Sequence, residues 1–276
     1  MRANAYRLIA IVFSLVIVAI VGTRLVAPGP PAFYVEPNTR MVLVAIEPGT
    51  FVMGSPDSEA GRNADETPHR VTLSKRFYMG RFEVTQTEWQ QVMGSAPSHF
   101  QGCSLCPVET VNFYDVDEFI TKLNARSVAM RFRLPTEAEW EYACRAGTTT
   151  AYAFGNRLTI QDANFLAAPV AGETITPGVG PYRTRTVGSY HPNAWGLHDM
   201  HGNVWEWTND FYGPYDTNAT VNPRGRDVGP RRVIRGGSWY FDAASARCAL
   251  RYTHEPEDRG FSLGFRVLGE PVEGAR

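Results

Sequence analysis

Three groups of residues have types and spacings that invite chemistry. They are the four cysteines, the acids of GLHDMHGNVWEW, and the stretch RGGSWYFDAASARCALR at 235–251. Cys103 and Cys106 form a CxxC in FQGCSLCPVE, whereas Cys144 and Cys248 stand far apart. A four-cysteine zinc site normally takes two close pairs, and only one is present. A redox CxxC usually opens a helix whose dipole lowers the thiol pKa; here Pro107 follows and no helical pattern begins at once. A local Cys103–Cys106 disulfide fits this context best, with a redox pair and zinc as the alternatives.

Asp199 and Glu206 are carboxylates on either side of Gly202, which lets the backbone turn so that carbonyls can face the acids. Calcium is a hard ion that takes six to eight such oxygens from side chains and backbone. The competing reading is a glycine turn with solvated acids and with Trp205 and Trp207 packed inward. His198 and His201 flank Asp199, but no third histidine is near, so hydrogen-bonded or exposed imidazoles fit better than a transition-metal site. Glu137, Glu139 and Glu141 alternate along a helical segment, which suggests capping and a solvated face rather than acid–base work. No GxSxG elbow, P-loop or GxGxxG before a helix occurs.

The elements that must position these groups are short. TQTEWQQVMG and TEAEWEYACRAG each open with a threonine followed three residues later by glutamate (Thr85/Glu88 and Thr136/Glu139), the signature of a capping box. Gly147 stops the second helix. A third helix is expected from Asp115 to Asn124, with Val116, Phe119, Ile120 and Leu123 on one stripe. MVLVAIEPGTFVMGS suits a strand and hairpin, and short strands are expected at VWEWT, RRVIRGGSW and GFRVL. Regular periodicity fades after Gly147. With 25 Gly and 19 Pro, this predicts a compact, irregular, loop-rich α+β domain rather than βαβ alternation.

Apolar residues make up 43% and charged residues 20%, enough for a packed core. Lys plus Arg (27) nearly balances Asp plus Glu (28), so nothing drives the chain toward nucleic acid. Arg2 and Arg7 precede the apolar run LIAIVFSLVIVAIVGT. Residues 1–26 therefore read as a membrane anchor or secretory signal, with residues 8–26 entering the membrane as a transmembrane helix. No clean cleavage site follows, which favours a single-pass anchor in the inner or plasma membrane with the globular part extracytoplasmic (periplasmic). Residues 27–40 read as a Pro-rich linker, 41–270 as the domain and 271–276 as a tail. Export makes disulfides permissible.

Several motifs then occur in one order: PGTFVMGS, DETPHRVTL, EVTQTEW, PVETVNFYD, RLPTEAEWEYACRAG, GLHDMHGNVWEWTND, RGGSW and LGFRV. Together they resemble the formylglycine-generating, or sulfatase-modifying-factor, domain family over residues 41–270. The resemblance implies a C-type-lectin-like α+β fold, often with calcium. The family's founding enzymes use O2 and Cu(I), held on two cysteines just after the motif matched by GGSW, to oxidise a cysteine of a sulfatase CxPxR sequence to formylglycine. In this chain YFDAASAR follows GGSW and holds no cysteine. CALR matches the family's structural CAAR motif, which implies a Cys144–Cys248 disulfide. A second cysteine pair of the enzymes is missing, with Val267 at one of its positions.

The resemblance also implies a structural calcium site from the Asp199 and Glu206 side chains and the Gly202 and Val204 carbonyls. A weaker second calcium site would use Asn164 and Phe165, but its aspartate is lacking in GVGPYRT. Ser238, retained from the enzymes, reads as a turn residue or a vestige of a catalytic position, and no catalytic residue is assigned. Tyr240 and Phe241 either plug the old site or form a new apolar surface. Copper is not expected. The function expected is an accessory module binding an envelope or membrane-complex protein. The alternative is an O2-dependent oxidoreductase of the same family, either with altered chemistry or with unexpected copper ligands such as Cys103 and Cys106.

Overall fold

A computed structural model describes residues 32–167, 182–218, 220–272 and 274. Residues 8–26, the expected anchor, lie outside these; among the described residues no helix is long and apolar enough to cross a membrane. Among the described residues there are three α-helices: α1 (Gln86–Met93), α2 (Phe113–Arg126) and α3 (Glu137–Arg145). The capping boxes expected at Thr85/Glu88 and Thr136/Glu139 both form. A third, Asn112/Asp115, starts α2 two residues before the expected helix start. Ala146 in the left-handed conformation ends α3, one residue before Gly147.

The strands are two to seven residues long: β1 (Phe33–Val35), β2 (Val42–Ile46), β3 (Gly49–Met53), β4 (His69–Leu73), β5 (Phe77–Gly80), β6 (Met130–Arg133), β7 (Trp205–Phe211), β8 (Arg232–Arg235), β9 (Tyr252–His254), β10 (Leu263–Gly264) and β11 (Leu268–Pro271). One sheet runs β1-β2-β5-β11-β6 and a second β10-β7-β8-β9, with β3–β4 a separate hairpin. Strand β1 falls within the stretch that reads as a spacer. Its FYV pairs with β2 from Phe33↔Val44 to Val35↔Val42, so the prolines before it do not keep this stretch out of the sheet. Strand β11, near the C-terminus, lies between β5 and β6, which closes the domain by pairing distant segments.

Helices α1 and α2 cover a core containing Trp89, Phe119 and Phe265; α3 packs with Met53, Val71 and Phe77 in a second core. Helix α3 corrects one expectation. Glu137 and Glu141 are buried, not solvated. Glu141 accepts from Arg235 at 2.5 Å and from Arg145 at 2.9 Å, and Glu137 accepts from Arg251 at 2.7 and 2.9 Å. Arg235 and Arg251 lie about a hundred residues away in sequence, so helical periodicity alone sees only three alternating acids. Removing one partner of such a buried pair leaves an uncompensated charge, which typically costs about 3–5 kcal/mol.

Candidate functional site around the loop from Arg235 to Arg251

Strand β8 delivers Arg235 opposite Glu206 of β7. The Arg235 guanidinium is fully buried and donates to the carbonyls of Cys248, Ala249 and Leu250 as well as to Glu141. The start of the loop thus holds its end. Arg247 adds two bonds to Glu66, at 2.7 and 2.8 Å, and one to Glu59 at 2.7 Å. The expected Cys144–Cys248 disulfide ties the same end to α3, and Cys103–Cys106 is also bonded. Gly237 is required by close approach and by conformation: its φ is +74°, and a Cβ there would meet the Ala246 backbone at 2.9 Å.

Between these anchors Ser238 is buried. Its Oγ accepts from the Tyr240 N–H at 3.4 Å and its carbonyl accepts from the Phe241 N–H at 3.0 Å, which closes a turn. Trp239 is buried and donates its backbone N–H to Asn203 O at 3.0 Å. Tyr240, 39% exposed, packs edge-on to Trp239 and Phe261. Phe241 meets Trp205 and Tyr252 at centroid distances of 5.4 and 6.0 Å, and Tyr252, 46% exposed, stacks on Trp205. The middle of the loop therefore presents a partly exposed aromatic face. The Trp205 indole N–H beneath it is buried with no acceptor among the described residues.

The acidic turn lies directly against this loop. Gly202 N–H donates to Gly236 O at 2.7 Å, and a Cβ at Gly202 would sit 2.2 Å from Asn164 O. Glu206 accepts two bonds from Arg266, at 2.6 and 2.7 Å, and one from the Trp140 indole at 2.7 Å. Asp199 accepts from Gly188 N–H at 2.6 Å; burial, with repulsion from Glu206, pushes its carboxyl up to about 6. Glu83 accepts from Val204 N–H and the Asn203 amide, and burial followed by repulsion from Asp199 and Glu206 raises it well above the usual carboxylate range. Three buried acids thus face one buried cation, Arg266. Asn164 bonds through its side-chain amide to Arg183 O and Asn203 Oδ1. Phe165 follows it, half-buried. Residues 168–181, which include most of GVGPYRT, lie outside the described residues.

His198 and His201 are both buried and hydrogen-bonded. Nδ1 of His201 donates to Ala246 O at 2.7 Å and Nε2 accepts from Ala153 N–H at 3.1 Å, which fixes one neutral tautomer; burial pushes the imidazole down to about 4. Cys144, His201 and Cys248 are the one tight grouping of three metal-ligand side chains among the described residues, and its two sulfurs are bonded to each other. Glu83, Arg266, Trp140 and Tyr252 had no place in the sequence-derived site. Glu83 and Arg266 lie within the EVTQTEW and LGFRV motifs, but only the fold brings them to Glu206.

Short sheets joined by long loops, with a disulfide and buried arginines holding one aromatic loop, define a class of α+β domain with little regular structure. The chain belongs to the sulfatase-modifying factor enzyme 1-like domain family, whose model matches residues 31–271. It is 39% identical to the formylglycine-generating enzyme of Streptomyces coelicolor over 80% of this chain and 67% of that protein. It is 29% identical to the formylglycine-generating enzyme of Bos taurus over 88% of this chain and 78% of that protein. The structure of PvdO from Pseudomonas aeruginosa superposes with a TM-score of 0.77 at 30% identity, covering 88% of this chain and all of PvdO.

Proposed function

We propose that this chain is a membrane-anchored, extracytoplasmic binding or assembly module of the family that works without copper–cysteine oxidation. One observation carries the reading: the segment between GGSW and Cys248 has no cysteine, and the chain's four cysteines are joined in two disulfides. Cu(I) is soft and favours thiolate ligands, and none is left to supply them. Tyr240, Phe241 and Tyr252 instead offer aromatic area of the kind that anchors protein partners. The two disulfides and the apolar run at 8–26 support export and anchoring.

A photo-crosslinking residue at position 240, in cells of the native host, tests the partner claim against a control at the exposed Val128. The expected result is one discrete membrane-associated adduct at 240 and none at 128. No adduct, or the same adducts at both positions, counts against the reading. The chain should also stay with membranes through an alkaline wash.

We also propose a structural calcium ion at the acidic turn, where it would compete with Arg266 and Trp140 for Glu206. Asp199 and Glu206, with the Gly202 and Val204 carbonyls, would hold it through hard oxygen donors. It would favour the ionised forms of Asp199 and Glu83, which burial and mutual repulsion otherwise disfavour. Calcium at a hundredfold its Kd contributes about 2.7 kcal/mol. A chelator should then lower Tm by about 5–10 °C in a domain of this size; an unchanged Tm would remove calcium from the account.

A second reading, an O2-dependent oxidoreductase of the same family, is favoured by the unpaired Trp205 indole N–H beside Phe241 and Tyr252. A buried donor without an acceptor is costly and marks a place for a small polar ligand. Oxygen uptake driven by a sulfatase-type peptide and lost in Trp205→Phe would establish it, and absence of uptake would dismiss it.

A further inference from the structure

The two disulfides occupy opposite environments. Cys144 and Cys248 are both fully buried beside His201. Cys103 is only half-buried, on a loop where Gln101, Gly102, Ser104 and Leu105 are exposed, while its partner Cys106 is buried. One reachable sulfur bonded to one sheltered sulfur is the arrangement that thiol–disulfide exchange uses: attack needs access to one sulfur and a stabilised leaving thiolate on the other.

The loop is docked on the start of α1 through its carbonyls. The carbonyl of Cys106 accepts from Gln86 N–H and that of Ser104 from Thr87 N–H, both at 3.0 Å. These are the first residues of α1, so the CxxC backbone sits on the positive end of that helix. The loop also holds the next segment of the chain. Leu105 O accepts from Val187 N–H at 3.0 Å, Cys103 Sγ lies 3.7 Å from Thr186 Oγ1, and Cys106 Sγ lies 3.9 Å from Thr184 O. That segment in turn reaches the acidic turn through Arg185 to Asn203 and Gly188 to Asp199.

The geometry points to Cys103–Cys106 as a thiol–disulfide exchange site, attacked at Cys103 and governing how firmly the loop holds residues 184–188. The reactant is a dithiol, protein or small molecule. Its thiolate attacks Cys103 Sγ, the Cys103–Cys106 bond breaks and Cys106 leaves as the thiolate. The second thiol of the reactant then attacks the mixed disulfide and releases Cys103. Two electrons and two protons pass to the cysteines, and the reactant leaves as its disulfide. This site shares no residue with the loop at 236–246 and does not depend on whether that loop binds or oxidises.

The test treats the folded full chain in detergent with dithiothreitol, quenches with an alkylating agent at intervals and locates the label by mass spectrometry. Cys103 and Cys106 should be reduced at least a hundredfold faster than Cys144 and Cys248, with Val187 amide hydrogen exchange at least tenfold faster afterwards. Equal rates for the two disulfides, or an unchanged Val187 amide, would overturn the proposal. In single variants that keep the native circular dichroism, Cys103 in Cys106→Ser should alkylate at least tenfold faster than Cys106 in Cys103→Ser. The reverse order would overturn attack at Cys103.

Discussion

The ends and the middle of residues 235–251 differ sharply in how they are held. The ends are fixed from several sides: Arg235 bridges α3 and three carbonyls, Arg247 joins Glu59 and Glu66, and Cys248 is bonded to Cys144. The middle, from Tyr240 to Ser245, is held by ring contacts, by a short turn in which Asp242 accepts from Ser245, and by two bonds at 2.8 Å, Leu166 N–H to Phe241 O and Tyr152 O–H to Ala243 O; no ion pair or disulfide fixes it among the described residues. The ends are therefore a frame fixed by ion pairs and a disulfide, and the middle is the more lightly held part of the loop.

If the ends carry stability, removing their crosslink should have the largest effect. The double variant Cys144→Ala/Cys248→Ala opens a loop spanning 104 positions. It should lower unfolding free energy by about 4–5 kcal/mol in the chain-entropy model, measured by denaturant titration. A loss below about 1 kcal/mol would mean that the arginine clamps alone suffice.

A smaller effect should come from His201, which supports the same frame through Ala246 and Ala153. Its folded pKa is depressed to about 4 from 6.5, so the unfolded chain binds the proton more readily. Its contribution is fully present above pH 6.5 and is lost as pH falls toward 4. The change is about 3 kcal/mol at about 1.4 kcal/mol per pH unit. Asp199 and Asp210, both pushed up to about 6 chiefly by burial, act with the opposite sign over part of this range. The measurement is therefore the stability difference between the wild type and His201→Gln at pH 7.5 and pH 4. It should shift by about 3 kcal/mol against the wild type at the lower pH; a pH-independent difference would place the imidazole outside the frame.

The smallest effect should come from the middle. Tyr240→Ala removes a partly exposed ring that packs on Trp239 and Phe261, so it should cost about 1 kcal/mol or less. A loss comparable to that of the disulfide variant would erase the contrast between ends and middle.

Local signals in the sequence were readable where the physics is local. The threonine–glutamate boxes start α1 and α3 where their spacing places them. The Asn112/Asp115 box uses the same spacing with different residue types, and the expected helix began at Asp115 instead. The burial of Glu137 and Glu141 is invisible to helical periodicity because their partners, Arg251 and Arg235, arrive from another part of the chain. The Cys144–Cys248 bond followed from family resemblance, since two isolated cysteines carry no pairing information of their own. The balance of Glu83, Asp199 and Glu206 against Arg266 exists only once three distant segments are packed together.

A frame that persists without the cysteine chemistry should neither hold copper nor oxidise a thiol. The most direct measurement is a Cu(I) titration of the full chain against a chromophoric chelator, followed by aerobic incubation with a CxPxR peptide and mass analysis. The expected result is no stoichiometric Cu(I) binding and an unmodified peptide cysteine. Tight one-to-one copper with conversion of that cysteine to the aldehyde would contradict it.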